Sequence, residues 1–89
     1  MNEQTYYTLY DQKRIHWFLK KEKTDERNLK AIKNHIKNFP DIIAKEVLLT
    51  EELERKIKNL LLKSSRKAIE LIEATNIISK PIEFPEELE

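Results

Sequence analysis

Residues 25–43 read DERNLKAIKNHIKNFPDII, and their apolar members set the expectation for the whole chain. Leu29, Ile32, Ile36, Phe39 and Ile43 follow a 3, 4, 3, 4 spacing, which places all five on one stripe of a helix. Thr24 or Asp25 can accept from the free amides of the first turn, and Asp25 and Glu26 complement the positive end of the helix dipole. Pro40 interrupts the series, because its ring disfavours a helical conformation at Phe39. The spacing therefore predicts a helix ending near Phe39, with Pro40 opening the next one at its first position and Asp41 in its first turn.

Toward the C-terminus, Thr50 with Glu51 and Glu52 reads as a helix cap with an acidic first turn, ahead of Leu53, Ile57, Leu60, Leu61, Ala68, Leu71 and Ile72. Unbroken to Ser79, this helix would be about 45 Å long at roughly 1.5 Å per residue, whereas a compact chain of this size is only about 30 Å across. Either it breaks, with Ser64 and Ser65 as the weak point, or its overhang is covered by a second copy of the chain. Leu62 lies outside the main stripe, one heptad before Ile69, and the pair forms a narrow second apolar face that predicts a homodimer; the competing reading is burial between neighbours of the same chain. Toward the N-terminus, Ile15, Phe18 and Leu19 at helical spacing argue for a first helix. The run TYYTLY at 5–10 is rich in β formers and residues 81–85 are extended by their prolines, so a short pair of terminal strands is the lesser alternative. The expected fold is all-α: a bundle of three to four helices over residues 8–22, 25–39, 40–48 and 50–79. Residues 1–79 then form one helical domain and 80–89 an acidic tail containing Pro81 and Pro85.

Composition narrows the function classes. The chain has 89 residues, no Gly and no Cys. Without Cys there are no disulfides, Cys-based zinc sites or thiol nucleophiles, and a cytoplasmic protein is expected. Without Gly there is no Walker loop, dinucleotide fingerprint, nucleophile elbow or tight primed hairpin. No apolar run approaches the roughly 18 residues needed to cross a bilayer, and no secretory leader is read at the N-terminus. No cofactor is expected.

Charge is segregated although the net charge is only +1. Residues 13–37 hold nine basic side chains against three acidic ones, and 55–67 hold six basic and no acidic ones; acids dominate 41–54 and the tail. Arg27, Lys30, Lys33 and Lys37 on one helix, and Arg55, Lys58, Lys63 and Arg66 on the other, make two basic ridges able to neutralise nucleic-acid phosphates, with Trp17 or the tyrosines as stacking surfaces. The competing reading is a solvated helix face.

Neither His16 nor His35 has a carboxylate three or four residues away, so no local metal pair forms. Glu51, Glu52 and Glu54 are explained by the first turn they occupy. Trp17, beside Phe18, is a candidate exposed binding aromatic. In the tail, Ile82, Phe84 and Leu88 offer apolar anchors among Glu83, Glu86, Glu87 and Glu89, for a partner or for folding back on the basic ridges. With no nucleophile and no paired acid and base, the expected function is non-enzymatic: a small regulator or inhibitor, of the kind encoded by viruses or mobile elements, that occupies a surface of a larger protein. The alternative is nucleic-acid binding.

Overall fold

The run at 5–10 builds a strand, and the all-α expectation fails there first. The computed structural model describes residues 3–74 and 78–85. They form a mixed α/β fold of β1 (Glu3–Tyr10), β2 (Ile15–Lys20), a 3-10 turn (Lys21–Lys23), α1 (Glu26–Asn38), β3 (Ile43–Thr50), α2 (Glu51–Lys63), α3 (Ser65–Ala74) and β4 (Ile78–Pro81). The sheet has the order β2-β1-β3-β4 with every neighbour antiparallel. β4 pairs with β3 and not with β1, so the terminal strands share one sheet without touching each other.

Alternation along β1 assigns its side chains to two layers. Tyr6 and Tyr10 join Val47 and Leu49 of β3 in a core closed by Ile57 of α2 and Ala68, Ile69 and Ile72 of α3. Tyr7 and Leu9 point the other way, onto Ile32 of α1, with Trp17, Leu29, Ile36, Ile42, Ala44, Ile82 and Phe84 packed around them. The sheet is thus sandwiched between α1 and the α2–α3 hairpin.

Three corrections have physical causes. The helix expected over 8–22 is a hairpin. Leu9 pairs with Trp17 but Tyr10 with Ile15, so β2 carries one extra residue, His16, as a bulge. That extra residue puts Ile15 and Phe18 on the same side, against the larger core, and so mimics the spacing of a helix. The lack of Gly excluded a two-residue turn but not a hairpin: at residues 11–14 Asp11 Oδ1 accepts from the amides of Lys13 (2.8 Å) and Arg14 (2.9 Å), and Asp11 N–H donates to the Arg14 carbonyl (3.0 Å). The helix expected over 40–48 is β3, an inner strand covered on both faces, which leaves no alternation to distinguish it from a helix.

The helix expected over 50–79 ends at Lys63 and restarts at Ser65. Ser64 is extended (φ −162°, ψ 114°) and its amide closes α2 on the Leu60 carbonyl. Its hydroxyl accepts from Lys67 N–H (3.4 Å), capping α3. One serine therefore ends one helix and begins the next. By contrast, α1 follows the sequence reading closely, with Asp25 accepting from the Asn28 amide (2.8 Å) and Phe39 at the C-cap.

Candidate functional site

The bulge in β2 re-aims His16 toward α1, on the side of the sheet that carries Trp17 and Ile32. His16 Nδ1 lies 3.0 Å from His35 Nε2, and its other nitrogen lies 2.8 Å from Asp11 Oδ2. The two imidazoles meet edge to face, and the Phe39 ring rests against both, 4.6 Å from His35 and 5.7 Å from His16 between centroids. The His16 side chain is almost wholly buried. The hydrogen bond from His16, then those from the Arg14 and Lys13 amides, hold the Asp11 carboxyl well below the usual carboxylate range. Burial, then the neighbouring positive charge of His16 and Arg14, pushes His35 below the ordinary imidazole value.

This polar chain lies at the end of the molecule where the 11–14 turn meets the turn from α1 into β3. Phe39, 46% exposed, and Ile43, 39% exposed, flank that second turn. Ile43 pairs with Tyr10 and so faces the α2–α3 side, away from Phe39, where it lines a cleft of about 270 Å³ with Tyr10, Gln12, Arg66, Glu70 and Glu73 among others. Tyr10 donates to Glu73 (3.1 Å), and burial, reinforced by that bond, pushes the phenol up to about 12.

A second polar cluster lies under the C-terminal segment. Glu46, 3% exposed, accepts from Lys21 Nζ (3.0 Å) and from the Glu83 amide (3.3 Å), so one buried carboxylate ties the 3-10 turn and the segment after β4 to the sheet. Its bond to Glu46 raises the Lys21 ammonium. Among the described residues, no group of three or more potential ligands converges to hold a metal ion, and no helix is long and apolar enough to cross a membrane.

The residues singled out from sequence are scattered. Leu62 is 88% exposed whereas Ile69 is in the core, because the break at Ser64 separates the face they would share on a continuous helix. Trp17 is half-buried against the α1-side core. Ile82 and Phe84 pack into that same core, and Leu88 lies outside the described residues. Arg27, Lys30, Lys33 and Lys37 are exposed on α1, while Arg55, Lys58 and Lys63 on α2 and Arg66 on α3 are exposed on the opposite side of the sheet; the two ridges do not merge. Lys30, Lys58 and Arg66 form helical ion pairs with Glu26, Glu54 and Glu70. Sequence spacing missed the His16–His35 contact because it joins residues 19 apart through a bulge, and missed buried Glu46 because nothing in a strand pattern marks an acid as interior. Scans of family models, of curated proteins and of solved structures find no match to this chain.

Proposed function

We propose that the protein is a non-enzymatic interaction module that binds a surface of a larger protein, using the end where α1 turns into β3. The observation that carries this reading is the exposure of Ile43 at the start of β3, in a cleft on the α2–α3 side with the polar rim Asp11, Gln12, Arg66, Glu70 and Glu73. An apolar centre with a charged rim is the usual anatomy of a protein contact. The acids on the rim favour a partner that is basic around an apolar knob. The tyrosines are buried and Trp17 is half-buried, which removes the stacking platform expected for single-stranded nucleic acid.

Capture from the native host with the wild type, Ile43→Glu and Leu62→Glu tests it. A protein retained by the wild type and by the Leu62 variant, but lost from the Ile43 variant, is the expected result. Equal retention by all three overturns the reading. A second reading, nucleic-acid binding, is favoured by the cleft of about 500 Å³ along α1 lined by Lys30, Lys33, Asn34, Ile36 and Lys37. It predicts duplex binding that falls steeply with salt and is lost when Lys30, Lys33 and Lys37 are neutralised.

A further inference from the structure

The geometry of Asp11, His16 and His35 limits how many protons the site can hold. An ionised carboxylate only accepts, so His16 Nε2 carries the hydrogen that points at Asp11. That leaves His16 Nδ1 facing His35 Nε2 across 3.0 Å, a gap that accommodates one hydrogen and not two. If both rings are neutral, His35 donates and His16 accepts. If one ring is cationic, the bridging hydrogen remains on either nitrogen and the contact survives. If both are cationic, two N–H groups point at each other and the contact breaks.

We propose that His16 and His35 form a latch between the start of β2 and the end of α1, closed while at most one ring is cationic and opened when both are. The charged groups around it act in both directions. From the 11–14 turn, the Asp11 carboxylate accepts from His16, while Arg14 opposes charge on His35. Lys13 and Asp41 line the shallow cleft beside Asp11. From the end of α1 come His35 itself and the uncharged Phe39 ring. Phe39 is the reporter of the state, because its ring seats on both imidazoles and its amide donates to the His35 carbonyl (3.0 Å). Opening the pair removes that seat at the C-cap of α1. The inference rests on the imidazole geometry alone and stands or falls without the docking reading.

Imidazole nitrogen NMR and amide exchange on the full chain, in chelator-treated buffer from about pH 8 to about pH 4, test it. The expected result is loss of the bridging hydrogen as the second ring charges. Protection of the Phe39 amide, corrected for intrinsic exchange, should fall by about tenfold per pH unit in that window, as uptake of one proton requires. His35→Gln retains a donor for His16 Nδ1 but cannot titrate, and its Phe39 protection should stay level with pH. Asp11→Asn removes the carboxylate charge that favours protonation, so its profile should move to lower pH. The latch is overturned if both rings become cationic while Phe39 protection is unchanged, if His35→Gln keeps the wild-type profile, or if Asp11→Asn leaves the profile unmoved or raises it.

Discussion

The two faces of the sheet are built from different materials. On the α2–α3 side, Tyr6, Tyr10, Val47, Leu49, Ile57, Ala68, Ile69 and Ile72 form one buried cluster. On the α1 side, among the described residues, Tyr7, Leu9 and Ile32 are the buried members of the core, and the rest of the layer is half-buried apolar side chains together with Glu46, Lys21 and the histidine pair. A small domain needs one dry core to offset the entropy of ordering its chain. Here that core lies under α2 and α3, where β1 also buries Thr8, and the α1 side carries the buried Glu46 ion pair and the imidazole contact. The largest expected effects follow from this division: Ile57→Ala should cost about 2–5 kcal/mol through lost transfer energy and a cavity, and Ile36→Ala, on the half-buried side of α1, roughly 1–2 kcal/mol. Chemical denaturation that returns equal losses would show that both faces hold the fold alike.

The next effect measures what the polar layer contributes. Among the described residues, removing the Lys21 ammonium leaves the buried Glu46 carboxylate with the Glu83 amide alone. Lys21 is itself half exposed, so water screens part of the interaction, and Lys21→Ala should cost about 1–3 kcal/mol. Glu46→Gln keeps the shape and an acceptor for Glu83 while discharging the site, and should cost less than Lys21→Ala. The reverse order in urea titrations would mean that Lys21 is a surface charge and that the carboxylate is held by other contacts.

Sequence pattern resolved the parts of this fold whose burial is one-sided. Leu29, Ile32 and Ile36 made α1 legible because its outer face is polar. The caps at Asp25 and Thr50 were legible because capping is local chemistry. β3 was not, since both of its faces are covered, and β2 was not, since one bulged residue turned a strand's period of two into an apparent period of three. The same bulge hid the candidate site: His16 and His35 meet only because the hairpin presents one side of β2 to α1. The basic residues of α1 and those of α2 and α3 are exposed, and the sheet that lies between the two sets was not legible in the sequence.

Ser64 connects the larger core to its own chain path, and its loss should be felt next. Ser64→Ala removes the acceptor of the Lys67 amide at the start of α3 and should cost about 0.5–2 kcal/mol. In a chain of this length that corresponds to a drop of several degrees, at about 4–8 °C per kcal/mol. A melting temperature unchanged from wild type would mean that backbone geometry alone breaks the helix at residue 64.

The smallest effect is the pH dependence of global stability, and it separates the two ends of the polar chain. His35 is held below its ordinary value near 6.5, so as pH falls past that value the unfolded chain takes up a proton before the folded one does. Its contribution is therefore complete above about pH 6.5 and is lost as pH falls through the lower folded value. Asp11 is held below its ordinary value near 3.8, so its contribution is complete above that pH and is lost only further into acid. Two separate declines are expected in stability measured by denaturant against pH. His35→Gln should flatten only the first and Asp11→Asn should chiefly reduce the second. A wild-type curve that is level between about pH 7 and about pH 5 would show that His35 charges equally easily in the folded and unfolded chain.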